Sequence, residues 1–332
     1  MSFSYNFLGS NGRLGNQLFQ IAGTIGRAHK SGDRTQAHFP QWKYSDYFCI
    51  PSKHFEATSG PSQKIGREYL QDLSEFSGCE DYVREVFQPS ELATSQMNAA
   101  YGDLLVGHRT AVHVRRGDYV ANISSHPPCP AHYFRRAMGI VREKFPDTVF
   151  LVFSDDIDWC REQFEASNQL TFVARNTDQS SINQDMIEFN LMRSCDSHII
   201  SNSTFSWWAA YLADSSLVIA PTIWYGKELD HIDVDRMIPD SWVRVVSENL
   251  GPIQNPALEV SEAEDGLVVL NVSTRRVHHL NSTASLLFEL CNGENSLSVI
   301  HESVNRIVAS LHVANFNADD TLEMFIREGL IS

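Results

Sequence analysis

The sequence predicts an α/β fold with a parallel sheet, on three observations. Short apolar runs alternate with amphipathic helical stretches along most of the chain. One run, Thr148 to Phe153 (TVFLVF), is continuously apolar and bounded by turns, as a strand buried on both faces is. A glycine-rich segment, Gly9 to Gln17, opens a helix, so its backbone N–H groups are set to face an anion.

Taken in order, Phe3 to Leu8 reads as the first strand and Gly9 to Gln17 as the loop. A helix follows from about Gln17 to His29, with Leu18, Ile21, Ala22, Ile25 and Ala28 on one face. The loop is neither a Walker A loop, since no GK[ST] follows, nor GxGxxG. Residues 30–105 carry short pieces rich in aromatics (Trp42, Tyr44, Tyr47, Phe48) and predict no regular pattern. Ala111 to Val120, AVHVRRGDYV, begins as a strand and turns at Gly117. Pro127 to Pro130 is a loop, 131–144 a helix, and 148–153 a strand ending in Ser154-Asp155-Asp156. Helix 157–166, strand 170–174, helix 183–195 and the short strand His198 to Ser201 follow. A helix from Trp207 to Leu212 and a strand over 216–220 close the series at Pro221.

The chemistry gathers at Ala111 to Val120. Val112 and Val114 point to one face of the strand, His113 and Arg115 to the other. His113, Arg115, Arg116 and Asp118 therefore arrive together at a strand's C-terminal edge, where open α/β sheets bind ligands. Adjacent Arg115 and Arg116 repel unless an anion lies beside them, and an arginine fork suits a phosphate. Ser203, Thr204 and Ser206 stand where a helix N-terminus aims donors at a phosphate, although N-capping alone would use one hydroxyl.

At 332 residues with 42% hydrophobic and 20% charged residues, the chain is an ordinary globular one of two or three domains. Its net charge of −15 argues against nucleic-acid partners and leaves at most a peripheral role at a membrane. The six cysteines (49, 79, 129, 160, 195, 291) form no CxxC pair. With no apolar leader or membrane-length run, this predicts reduced thiols and a cytoplasmic protein.

Four motifs occur in one order: GRLGNQLFQIA (12–22), VHVRRGDY (112–119), FSDDIDWC (153–160) and LMRSCDSHIISNSTFSWWAAYLA (191–213). Together they resemble the α-1,2-fucosyltransferases of glycosyltransferase family 11, over roughly residues 5–245. The resemblance implies a GT-B-like architecture of two Rossmann-like halves, 1–105 and 106–246, the latter binding the donor. It implies GDP-β-L-fucose as donor and inverting, metal-independent transfer to a sugar hydroxyl of a glycan acceptor, with no cofactor. Carried over, His113 and Asp155 would contact guanine, Arg115 the β-phosphate, and Arg116 would support the local structure. Gly15 and Asn16 would approach the pyrophosphate or fucose, and Ser203, Thr204 and Ser206 the phosphates, with Phe205 near the base. The departing diphosphate needs cations or a metal, and Arg115 supplies a cation. The acceptor hydroxyl needs a base. Asp118 is the candidate, weakened by its neighbouring arginines.

Residues 247–258 read as a linker and 259–332 as a separate unit. Two strands around Ser273-Thr274 form a hairpin, and a polar cap at Asn281 opens a helix. This tail resembles the PqqD family, small winged-helix domains that recognise peptides. Eleven acidic against four basic residues argue against DNA. Two alternatives stand: a metal-dependent transferase, since Asp156-Ile-Asp158 is a DxD, and a glycan- or peptide-binding module with an inactive transferase half.

Overall fold

The computed structural model describes residues 1–57, 60–173, 181–248, 251–310 and 316–332. It contains two compact units, one of residues 1–119 with 123–246, the other of 120–122 with 247–332.

The first unit opens with β1 (Ser2–Ser4), α1 (Leu14–Lys30), β2 (Ala37–His38) and β3 (Ser62–Lys64), the strands lying parallel in the order β2-β1-β3. β1 stops short of the predicted Leu8, and α1 begins three residues before the predicted Gln17. The turn glycines are Gly9 and Gly12, at φ +84° and +75°, whereas Gly15 is already helical. Residues 30–105 also form α2 (Glu80–Val86) and α3 (Glu91–Tyr101).

Next come β4 (Arg109–Val114), α4 (Ala131–Lys144), β5 (Val149–Ser154), α5 (Ile157–Gln163), β6 (Leu170–Phe172) and α6 (Ser181–Arg193). β7 (Ser197–Ile199), α7 (Thr204–Leu212), β8 (Leu217–Pro221) and β9 (Val243–Val245) complete the unit. All six strands are parallel in the order β6-β5-β4-β7-β8-β9. β9 extends the predicted series, its three residues too short to carry a periodic signal. The predicted end of β6 at residue 174 lies outside the described residues.

Strand alternation divides the core. Val112 and Val114 pack with Phe150, Val152, Ile199 and Ile219 on one face of the sheet. Ala111, Leu151 and Phe153 face a second cluster that takes in Phe19, Trp42, Phe87, Phe189, Trp207 and Trp208. Residues 1–105 and 106–246 thus share one core. Its aromatic centre sets Phe19 against Trp207 at 4.6 Å and Trp208 at 4.9 Å. Such pairs contribute about 0.5–1.5 kcal/mol each beyond area burial. After β6 the chain crosses back to pair β7 on the other side of β4. That reversal makes the C-terminal ends of β4 and β7 a topological switch point, the usual ligand position of a doubly wound sheet.

The second unit is a meander of β10 (Leu258–Ala263), β11 (Gly266–Asn271) and β12 (Arg276–Asn281), then α8 (Ser282–Leu290), α9 (Leu297–Ser310) and α10 (Ala318–Arg327). The predicted hairpin is β11–β12, with Arg275 at φ +58° in its turn. β10 adds a further antiparallel strand. Asn281 caps α8, accepting a hydrogen bond from the Ala284 N–H at 3.0 Å. Residues predicted as linker are partly structural. Ile253 exchanges backbone bonds with Ser332 at 3.0 and 2.9 Å, and the Gln254 and Asn255 N–H groups donate to Cys291 and Leu330. Residues 249–250 of that predicted linker lie outside the described residues. Among the described residues no helix is long and apolar enough to cross a membrane.

Two strand histidines are buried in the first unit. His198 lies between Ser215 Oγ (2.9 Å from Nδ1) and the Met192 carbonyl (2.7 Å from Nε2), and His113 reaches Ser201 Oγ at 2.9 Å. Burial lowers both pKa values from 6.5 to about 4. The unfolded chain therefore binds more protons between those values, and stability falls as pH drops from about 6.5 towards 4. Urea melts at about pH 6.5 and 5, above the ordinary carboxylate range, are expected to show a lower midpoint at the more acid pH. His198→Asn should shrink the difference, and an unchanged difference would contradict the assignment.

Candidate active site

The ends of β4 and β5 interlock through charge. Asp155 Oδ1 accepts the Arg116 backbone N–H at 2.8 Å, and its Oδ2 pairs with Arg115 Nη1. The chain turns so closely over this carboxylate that a Cβ at Gly117 would lie 2.5 Å from Asp155 Oδ2. Arg115 also pairs with Asp118. Arg116 donates from Nε to Asp156 Oδ2 at 3.0 Å and lies over the Trp159 ring at 4.1 Å. Sequence reasoning set the two arginines in mutual repulsion pending an external anion. The structure answers that repulsion from within, giving each guanidinium its own carboxylate.

Asp156 further caps α5, accepting from the Trp159 N–H at 3.3 Å, while Asp158 pairs with Arg161 at 2.8 Å. The two carboxylates of the DxD are thus held by different arginines. Asp118 stands between Arg115 and Arg13, whose Nη2 is 3.4 Å from its Oδ2. The candidate base therefore sits between two cations. His113 faces the Phe205 ring at 5.7 Å, and Phe205 in turn meets Phe189 at 5.4 Å.

The glycine segment is held against its own helix. Gln17 Nε2 donates to the Gly12 carbonyl at 2.7 Å and Gln20 Nε2 to the Asn11 carbonyl at 2.9 Å. Buried Trp42 fixes Gln17 by donating to its Oε1 at 2.7 Å. Gln17 and Gln20 thus tie the loop's carbonyls to the helix that it opens.

Gly15 lies within the first turn of α1, where a Cβ would fall 2.4 Å from the Thr204 carbonyl carbon and 2.6 Å from the Phe205 nitrogen. The glycine is required by contact with α7. Further along, Phe19 meets Trp207 and Trp208, so the two helices start side by side and run the same way. Each N-terminus carries about half a positive charge and unsatisfied N–H groups. The two N-termini lie together beside Arg13, which is linked to Arg115 through Asp118, a concentration of positive potential that would suit an anion.

The hydroxyls of α7 divide their work. Ser203 is the N-cap residue but its side chain makes no capping bond. Thr204 Oγ1 donates to Asn16 Oδ1 at 2.9 Å. Ser206, fully buried, donates to the Ser203 carbonyl at 3.2 Å. Sequence reasoning missed Arg13, which lies inside the first motif, and Gln71 and Tyr225, which no local pattern marks. Gln71 Nε2 donates to Asn16 Oδ1 at 2.9 Å and accepts at Oε1 from the Tyr225 hydroxyl at 2.8 Å.

The family model described as glycosyl transferase family 11 matches residues 19–245, more than half the chain. An alpha-1,2-colitosyltransferase of Escherichia coli is 34% identical over 213 residues, covering 58% of this chain and 69% of that protein. The galactoside alpha-(1,2)-fucosyltransferase 2 of Rattus norvegicus is 32% identical over 186 residues, 54% of this chain, which spans only 50% of that relative. The α-1,6-fucosyltransferase NodZ co-crystallised with GDP aligns with 64% of this chain and 93% of its own at 14% identity and a TM-score of 0.39. On the family match and these relatives, the chain is a glycosyltransferase and belongs to glycosyl transferase family 11.

Proposed function

We propose that the chain transfers L-fucose from GDP-β-L-fucose to a sugar hydroxyl, a galactoside 2-hydroxyl being the first choice, with inversion and without a metal or cofactor. The observation that carries this reading is the pair of helix N-termini joined at Gly15 and Thr204, with Arg115 and Arg13 beside them. Cleaving the sugar–phosphate bond leaves negative charge on the diphosphate. Fixed N–H groups and a guanidinium stabilise that charge without reorganising. In this reading Arg115 exchanges carboxylate partners for phosphate oxygens, its fork suited to both. His113 and Phe205 offer an imidazole edge and a ring face to the base, while Asp155 holds Arg115 and the Arg116 amide in place. Asp118 remains the candidate base. The names of the relatives, fucosyl- and colitosyltransferases, support fucose or a fucose-like sugar as the group transferred.

Arg115→Lys keeps the charge but removes the fork. A charge-assisted hydrogen bond is worth about 1.5–3 kcal/mol, which corresponds to a roughly tenfold to hundredfold loss of transfer. The measurement is GDP release with GDP-fucose or GDP-colitose across a panel of glycan acceptors, with and without excess EDTA. Near-normal rates in Arg115→Lys would remove the arginine from the phosphate site. Loss on chelation with rescue by manganese would transfer the role to Asp156 and Asp158.

We further propose that the second unit, read as a PqqD-like winged helix, recruits a peptide or protein and takes no part in sugar chemistry. Its β12 edge, with Val277 56% exposed, offers a ladder for an added strand. Arg276 is tied to Glu328 at 2.9 Å, so of the two turn arginines it is the less free to meet an acidic peptide. Because Ile253 to Asn255 are stitched into this unit, a clean truncation ends at Val246. That shortened chain is expected to keep donor hydrolysis and transfer to a free glycan. A folded but inactive product would end the division of labour.

A further inference from the structure

Asn16 reaches from α1 to α7 through one atom. Its Oδ1 accepts two hydrogen bonds, from Thr204 Oγ1 and from Gln71 Nε2, both at 2.9 Å. An amide oxygen has two lone pairs, so that acceptor is filled. No hydrogen bond from the amide's own N–H groups is found among the described residues; the residue is half-buried, and its Nδ2 lies against the glycine loop, where a Cβ at Gly12 would come within 2.5 Å of it. Gln71 in turn is oriented at its far end, where the Tyr225 hydroxyl donates to its Oε1 at 2.8 Å. The chain of donors runs one way: Tyr225 O–H to Gln71 C=O, then Gln71 N–H to Asn16 C=O.

We propose that Gln71 and Tyr225 are positioning residues that hold the Asn16 amide with its N–H groups, not its carbonyl, towards the donor's diphosphate. The inference rests on the reading of this site as the GDP-sugar site. An asparagine amide has nearly the same shape either way round, so packing alone does not choose its face. The choice matters, because the N–H₂ face attracts an oxyanion and the carbonyl face repels one. Gln71 makes the choice by presenting a donor to Asn16, and in this arrangement its oxygen is engaged by the Tyr225 hydroxyl. The relay also joins residues 16 and 71, from the first half of the unit, to 204 and 225 in the second. Diphosphate binding is thereby tied to correct seating of the two halves.

Gln71→Glu tests this at constant shape. A carboxylate still accepts from Tyr225 but has no proton for Asn16, so the Asn16 amide turns and offers its oxygen to the site. GDP binding by calorimetry is expected to weaken roughly tenfold to hundredfold, with donor KM raised and acceptor KM unchanged. The ratio to wild type should persist at about 1 M salt, where the screening length is about 3 Å and the added charge alone no longer acts at a distance. Tyr225→Phe removes one hydroxyl and releases Gln71 to either orientation; the expected loss is smaller, roughly threefold to tenfold. This second variant carries the test if Gln71→Glu does not fold. Unchanged GDP affinity in a folded Gln71→Glu or Tyr225→Phe chain, or a Gln71→Glu loss that vanishes at high salt, overturns the relay. Failure of the wild-type chain to bind GDP overturns the site reading instead.

Discussion

The contact of Gly15 with the backbone of Thr204 and Phe205 is the constraint on which the site depends. It is a steric condition with an electrostatic result. Only a residue without a Cβ lets α1 approach α7 so closely, and the approach brings two positive helix ends together. Alone, that juxtaposition is unfavourable. The large aromatic contact of Phe19 with Trp207 and Trp208, a few residues along the same helices, offsets it. Core packing thus holds like-signed helix ends in a position that an anion relieves, and stability and ligand chemistry meet in one pair of helices.

The β4 turn solves a related problem with fixed charges. Three carboxylates and two guanidiniums alternate there, and each arginine has a different fate. Arg116 is locked by Asp156 and stacked on Trp159, an arrangement that a phosphate would have to dismantle. Arg115 is held by Asp155 and by Asp118, the latter more than half exposed. An exposed ion pair contributes little net stability, so exchanging that partner for phosphate costs little. Adjacent residues of one type therefore divide into one stacked and held by Asp156 and one shared between Asp155 and the exposed Asp118. The division depends on which carboxylate lies beneath each.

The parallel sheet makes the convergence possible. Because the chain leaves β6 and returns beside β4, the His113 and Arg115 turn and the α7 N-terminus open from neighbouring strands. Asp155 comes from the strand on the other flank. No local feature of residues 109–119 announces any of this. It follows from strand order, which is set by how the apolar faces of β4, β5 and β7 share two cores.

Much was legible in the sequence alone: the α/β class, most strands and helices of the first unit, the motif residues and the separate acidic tail. Those depend on local periodicity, turn chemistry and composition, which neighbouring residues carry by themselves. β9 escaped because three residues bear no period, and β10 because its residues, mostly exposed, do not alternate. The start of α1 was misjudged because glycine suggests a loop, while Gly15 serves a helix contact 189 positions from its partner Thr204. Which carboxylate holds each arginine, which serine is buried, and which donors Asn16 Oδ1 accepts from are decided only by tertiary structure. Each is a matter of which atoms meet across long sequence separations. A hydrogen bond's direction depends on the partner that folding brings to it, and no local pattern encodes that partner.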